Sequence, residues 1–97
     1  MQPDRDEQVL LERRASIRGR RLRAVGTLTV TSKKLSFRPL ARERSITVSL
    51  TAIQDIRIVG LLFKKLRIST RRHVYVLYVK GADNLAGLLR TLLAHLT

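Results

Sequence analysis

Four arginines fall within six consecutive residues, at Arg18, Arg20, Arg21 and Arg23. A guanidinium group presents paired donors in one plane, which matches two oxygens of a phosphate or a carboxylate. This cluster is therefore a candidate site for an anionic group. A solvated surface loop is the alternative interpretation, and the residue types alone do not separate the two.

A second candidate is an apolar tripeptide followed by two lysines, at Leu61, Leu62, Phe63, Lys64 and Lys65. At a loop tip, such a segment can insert apolar side chains into a bilayer while the lysines meet lipid headgroups. Apolar tripeptides are more often buried or paired, so we expect these residues to pack under a sheet or in a subunit contact. All five residues are kept as a candidate membrane or partner contact.

The remaining basic clusters have simpler interpretations. A hairpin turn is predicted at Arg71, Arg72 and His73, and membership of a basic patch is the alternative. Ordinary loop charges are predicted at Arg38, Arg42 and Arg44.

Catalytic and metal chemistry finds little support in the sequence. There is no cysteine, and neither His73 nor His95 has an acid or nucleophile motif beside it. Glu43 and Asp55 fall in separate segments, and no glycine-rich phosphate loop or metal-ligand spacing is present. We therefore expect no enzyme, no cofactor and no metal.

Length and charge set the remaining limits. The 97 residues fit one domain at residues 8–97, after a flexible N-terminus at residues 1–7. The net charge is +13, and residues 13–80 hold 18 lysines and arginines against two acids. Such a field favours lipid headgroups, nucleic acid or acidic proteins as partners. Because no apolar run approaches about 20 residues and the chain starts with acids, we expect a soluble, cytoplasmic protein, peripheral at a membrane if lipid is bound.

Alternating apolar and polar residues predict a mainly β chain. The clearest pair of strands lies in residues 26–39, where Ser32, Lys33 and Lys34 form the break. Gly26 within this pattern predicts a bulge or a close approach of two backbones. Helix competes with strand over residues 6–15, and the strand at 74–79 is apolar on both faces, which predicts cover on both sides. About seven strands are expected, near residues 9–17, 21–31, 35–38, 46–50, 53–58, 66–69 and 74–79.

The chain ends in an amphipathic helix. Six leucines follow the helical period, and Asp83 or Asn84 can cap its start; they are Leu85, Leu88, Leu89, Leu92, Leu93 and Leu96. Strands that close on themselves leave an open end, which this helix would fill.

This order of elements, with its residues, resembles the pleckstrin-homology-like superfold, and in particular the GRAM domain and its bacterial relatives. The similar residues are Gly26-Thr-Leu-Thr-Val-Thr31, Lys34-Leu-Ser-Phe37-Arg-Pro39, Ile46-Thr-Val-Ser-Leu50, Leu66-Arg-Ile68-Ser-Thr70 and the leucine helix. The resemblance implies a bent, partly open barrel of antiparallel strands capped by the C-terminal helix.

The resemblance also implies a function. Many such domains bind phosphoinositides or other anionic lipids through the loop between the first two strands, where Arg18, Arg20, Arg21 and Arg23 fall here. Others bind proteins or copies of themselves, which is the first alternative. Nucleic-acid binding is a second, less favoured alternative, because only four aromatic residues are available for stacking.

Overall fold

A computed structural model describes residues 7–19, 22–41 and 44–96. The predicted strands and the terminal helix are confirmed, and residues 9–15 of the segment for which helix competed belong to a strand. The elements are β1 (Val9–Gly19), β2 (Leu22–Thr31), β3 (Lys34–Pro39), β4 (Ile46–Ser49), a 3-10 turn (Leu50–Ala52), β5 (Ile53–Val59), β6 (Lys65–Thr70), β7 (Val74–Val79) and α1 (Ala82–Leu96).

All seven strands belong to one antiparallel sheet in the order β4-β3-β2-β1-β7-β6-β5. The 3-10 turn at Leu50–Ala52 is the whole connection between β4 and β5, which are the two edges of that sheet. A connection of three residues cannot cross a flat sheet of this width, so the sheet must curl until its edges approach each other. The result is the predicted half-barrel.

The core fills the inside of the curl, and α1 closes it. Large side chains with almost no exposure come from every part of the sheet and from the helix. On α1 the buried residues are Ala82, Leu85, Ala86 and Leu89, which pack towards β5, β6 and the 3-10 turn. Arg90 adds a polar tie, because its Nη2 donates to the Ile56 carbonyl oxygen at 3.0 Å.

The predicted start of the helix was wrong. The helix begins at Ala82, so Asp83 lies in its first turn, and neither Asp83 nor Asn84 is the residue before it. The preceding Gly81 has a φ of 76°, a left-handed conformation that glycine adopts without strain. Because the chain turns at Gly81, the helix begins at Ala82, before the two polar residues that were predicted to cap it.

Gly26 is confirmed as a point of close backbone approach. It pairs with Pro39 in the β2–β3 ladder, and a Cβ on Gly26 would lie 2.0 Å from the Arg38 carbonyl oxygen. Only a residue without a side chain fits there. Because β3 extends to Pro39, Arg38 is a strand residue, which corrects its assignment to a loop.

The outer face of β7 is exposed, which contradicts the prediction of cover on both sides. Leu77 and Val79 are buried, whereas Val74 and Tyr78 on the opposite face are 42% and 37% exposed. The reason is that the core and α1 pack against the inner face of the curled sheet, which leaves the outer face without a packed layer in the described part of the chain. Among the described residues, no helix or strand packs over the outer apolar residues of β7.

Glu7 packs with the domain although it falls in the segment predicted to be flexible. It is only 5% exposed, accepts a hydrogen bond from the Thr31 hydroxyl and lies 3.4 Å from the Lys34 Nζ. The rest of that predicted segment, residues 1–6, lies outside the described residues.

Candidate functional site

Two arginines of the predicted cluster lie in the described part of the chain, at the end where β1 and β2 meet. Arg18 on β1 and Arg23 on β2 are direct partners in the ladder, and both are exposed. Direct partners in an antiparallel pair project from the same face with Cβ atoms about 5 Å apart. The structure therefore brings two of the four predicted arginines side by side. The other two, Arg20 and Arg21, lie outside the described residues.

The β6–β7 turn lies beside this pair. β7 runs antiparallel to β1, with Val76 opposite Arg18, and the Val74 carbonyl oxygen and the Tyr75 ring lie 3.4 Å and 3.3 Å from the position of a Cβ on Gly19. The two connections therefore share one end of the sheet, which we call the loop end. It carries Arg18, Arg23, Arg71, Arg72 and His73.

The turn itself is confirmed as a hairpin and is well defined. The Thr70 amide donates to the His73 carbonyl oxygen at 2.8 Å, and the His73 amide donates to the Thr70 hydroxyl at 3.1 Å. Arg71 and Arg72 occupy the two positions between them and are exposed. Their side chains thus project from a short, hydrogen-bonded turn.

The loop end carries positive charge that no described acid neutralises. Within residues 7–19, 22–41 and 44–96, the ion pairs are Lys34 with Glu7, Arg57 with Asp55 and Lys64 with Asp83. None of them involves an arginine of the loop end. An anion placed there would gain attraction from several charges and relieve the repulsion between Arg18 and Arg23.

Tyr75 supplies a neutral polar group at the same end. It is half-buried, its ring centroid lies 5.7 Å from that of His73, and burial raises the pKa of its phenol. A phenol at its ordinary pKa is already protonated at neutral pH, and the upward shift acts in the same direction, so Tyr75 can donate a hydrogen bond and adds no negative charge.

The apolar loop, defined as Leu61, Leu62 and Phe63, does not pack under the sheet, so that half of the expectation was wrong, whereas the expected subunit contact stays a prediction. The exposed fractions of these side chains are 96%, 90% and 81%. The β5–β6 ladder ends where Val59 pairs with Lys65, so the residues between them lie beyond the sheet. Gly60, with a φ of 94°, is the first residue after β5 and precedes this loop.

The two lysines after the apolar loop have partners within the chain. The Lys64 Nζ lies 2.9 Å from an Asp83 carboxylate oxygen in the first turn of α1. The Lys65 Nζ lies 5.1 Å from the centroid of the Tyr78 ring, which is cation–π geometry. Both lysines thus contact groups of the domain at the base of the loop.

The loop end and the apolar loop lie at opposite ends of β6. This strand runs from Lys65, next to the apolar loop, to Thr70, next to Arg71, a length of about 17 Å. The two groups of predicted site residues therefore form separate surfaces.

A polar cleft on the outer face of β1 to β4 was not predicted. Its volume is about 310 Å³, and hydroxyl side chains predominate in its wall, together with Glu12, Lys34 and Arg38. The hydroxyls of Thr29, Ser36 and Thr47 line up because these residues pair across neighbouring strands. Such an alignment depends on strand register, so spacing within one strand gives no signal for it.

Within the described residues, no group of three or more potential ligand side chains is arranged to hold a metal ion. The helices in that part of the chain include none that is long and apolar enough to cross a bilayer.

Solved structures share this architecture. The C-terminal domain of an unknown protein from Leishmania infantum superposes with a TM-score of 0.77 at 15% identity, over 91% of this chain and 85% of that chain. The N-terminal PH domain of human ARAP2 matches with a TM-score of 0.73 at 16% identity, over 90% and 81%. The chain has the pleckstrin-homology-like fold. A chain of the 8S snRNP assembly intermediate is also similar, with a TM-score of 0.73 at 13% identity over 95% and 85%.

No family model matches this sequence, and no curated protein matches it. Since these three solved structures are below 20% identical to this chain, the likeness lies in the arrangement of strands and helix.

Proposed function

We propose that this domain is a small, non-catalytic binding module that attaches peripherally, from the cytoplasm, to membranes rich in anionic lipid. The observation that carries the proposal is the direct pairing of Arg18 with Arg23 beside the Arg71 and Arg72 turn, with no ion pair to a described acid. Arg20 and Arg21 follow in the same connection and are included in the site.

The chemistry of this end suits a phosphorylated headgroup. Two neighbouring guanidinium groups can each offer a pair of donors to the oxygens of one phosphate. The arginines of the adjacent turn strengthen the local field and attract a surface that carries many negative charges. Each Lys or Arg near such a surface contributes about 1 kcal/mol, and the attraction decays within a Debye length.

Co-sedimentation with vesicles at two salt concentrations tests this function. Vesicles containing phosphatidylserine or a phosphoinositide should bind the domain, uncharged phosphatidylcholine vesicles should not, and high salt should weaken binding. Replacing both Arg18 and Arg23 by Gln should weaken binding by about thirty-fold, from the loss of two charges. Charge reversal of Arg20, Arg21 and Arg23 to Glu should weaken it further.

Lys33→Gln is the matched control, because Lys33 is exposed in the β2–β3 turn at the other end of the sheet. It should bind nearly as the parent does. A soluble phosphorylated headgroup added as competitor distinguishes recognition of one headgroup from attraction to the charged surface. Undiminished binding by the Arg18 and Arg23 double variant would remove the lipid proposal.

We further propose the GRAM branch of this fold for the chain. The support is the strand pair that carries the resemblance, in which Gly26 is required by the close approach of Arg38 and Phe37 is fully buried. These are positions where the fold restricts the choice of residue.

A second candidate function is contact with a protein partner or a second copy through the apolar loop. Three adjacent apolar side chains that are more than four-fifths exposed are typical of an interaction site. Since the loop lies about 17 Å from the loop end along β6, a bilayer bound at the loop end leaves it free. We therefore favour a protein over a membrane as its partner.

A further inference from the structure

A row of arginines crosses the outer face of the sheet. The ladders place Arg23 opposite Arg18, Arg18 opposite Val76, Val76 opposite Arg67, and Arg67 opposite Arg57. Residues that are direct partners project from the same face, so the four arginine side chains share one line across β2, β1, β7, β6 and β5. All four are exposed. We call them the arginine row.

The arginine row does not stabilise the fold. Two of its neighbouring pairs set arginine directly opposite arginine, which is destabilising in a sheet. Among the described residues, the acid that forms an ion pair with the arginine row is Asp55, whose Oδ2 lies 2.7 Å from the Arg57 Nε. The Arg57 side chain is 68% exposed, so packing against the domain does not explain why an arginine occupies this position. Such an arrangement is expected where an external anion supplies the missing negative charge.

The shape of the surface favours a flexible anionic chain. Five strands about 4.8 Å apart make the arginine row roughly 19 Å long. The outer face is convex because the sheet curls around its core, so a flat bilayer would reach only part of the row. A flexible strand of phosphates can follow the curvature and meet every arginine.

The residues around the row indicate contacts to phosphates more than to bases. Val76 interrupts the row, and Tyr78, the exposed aromatic residue of β7, is covered by the Lys65 ammonium. Single-strand binders that rely on stacking need several free aromatic platforms. Phosphate contacts position a nucleic acid without reading its sequence.

We propose that the arginine row binds the sugar-phosphate backbone of single-stranded nucleic acid, without sequence preference and with the strand running across the β-strands. This activity lies beyond the proposed lipid binding. Arg18 and Arg23 belong to both surfaces, whereas Arg57 and Arg67 belong to the arginine row alone.

Fluorescence anisotropy with a labelled mixed-sequence oligonucleotide of about 16 nucleotides is the test. Four phosphate contacts predict a slope of about −3 for log K against log salt, which is about a fifty-fold loss of affinity between roughly 50 and 200 mM salt. Arg57→Gln and Arg67→Gln should each reduce the size of that slope by about 0.7. Asp55→Asn should tighten binding, because it releases Arg57 from its ion pair.

Controls separate a charge effect from an effect of this surface. Lys33→Gln removes one positive charge away from the row and should leave the slope nearly unchanged. Thermal unfolding should show that the Arg57 and Arg67 variants are as stable as the parent or more so, since the repulsion between facing arginines is removed.

The Arg57→Gln, Arg67→Gln double variant is also tested on the phosphatidylserine vesicles. Loss of oligonucleotide binding with vesicle binding retained supports the arginine row as a nucleic-acid surface. Oligonucleotide binding equal to that of the parent, or no binding by the parent at low salt, overturns the proposal. Loss of vesicle binding with oligonucleotide binding retained also overturns it and assigns the row to the membrane.

Discussion

The Thr31 hydroxyl donates a hydrogen bond to the buried Glu7 carboxylate across 3.0 Å, although the two residues are 24 positions apart. The same hydroxyl oxygen accepts from the amides of Lys33 and Lys34, at 3.2 Å and 3.1 Å. The Lys34 ammonium lies 3.4 Å from the carboxylate. One threonine thus fixes the β2–β3 turn and attaches the start of the described chain to it.

Replacing Thr31 by Val should destabilise the domain by about 1–3 kcal/mol, because the shape is kept while a buried carboxylate and two amides lose a partner. Urea unfolding followed by circular dichroism measures the change. Thr47→Val on exposed β4 is the control and should stay within about 0.5 kcal/mol of the parent. Equal effects of the two changes would show that the Thr31 hydroxyl has no special role.

Gly26→Ala should be strongly destabilising, by about 3 kcal/mol or more, since the new methyl group would meet the Arg38 carbonyl oxygen. Gly87→Ala is the same change in α1, where nothing lies within 4 Å of the new Cβ. There the higher helix propensity of alanine should stabilise the domain by about 0.5–1 kcal/mol. Chemical denaturation measures the change in unfolding free energy of each variant, which should be a loss for Gly26→Ala and a gain for Gly87→Ala. A Gly26→Ala protein as stable as the parent would contradict the close approach of the β2 and β3 backbones.

Leu89→Ala should cost about 2–5 kcal/mol, because Leu89 has no exposed surface and its loss leaves a cavity under the helix. Leu96→Ala removes the same atoms from the last leucine of the stripe, which is 45% exposed. Its cost should be much smaller. Thermal unfolding of the pair tests whether α1 closes the half-barrel through its N-terminal turns, and a larger effect at Leu96 would disprove that arrangement.

Replacing Leu62 and Phe63 together by Ser should abolish any concentration-dependent self-association and leave stability within about 0.5 kcal/mol, because both side chains are exposed. Light scattering over a range of concentrations measures the first effect and urea unfolding the second. A parent protein that stays monomeric at high concentration would exclude self-assembly and leave a different protein as partner. A large loss of stability would show that the apolar loop packs on the domain.

Much of the fold could be predicted from local patterns. Leu28 and Val30, or Leu35 and Phe37, alternate with polar residues, and burial follows that alternation in the structure. The helix start was missed by two or three residues, since a positive-φ glycine at position 81 replaces the expected polar cap. The prediction that both faces of the strand at 74–79 are covered was wrong, because apolar residues on both faces do not show which face packs against the core.

The candidate site was predicted less completely for a similar reason. Local sequence shows that Arg18 and Arg23 flank one connection, but Arg57 and Arg67 are far from them along the chain. They align with Arg18 only through the register of three separate strand pairings. The exposure of the apolar loop depended in turn on where the β5–β6 ladder ends.

The sequence by itself determined the strand alternation, the leucine helix, the glycine that lets β2 and β3 meet and the excess of positive charge, because each is written in residues close together along the chain. Only the tertiary structure decided how that charge is distributed and which apolar residues stay exposed. Curling joins strands that are distant in sequence, and the resulting register alone places arginines from β2, β1, β6 and β5 in one line on a face that nothing within the described chain covers.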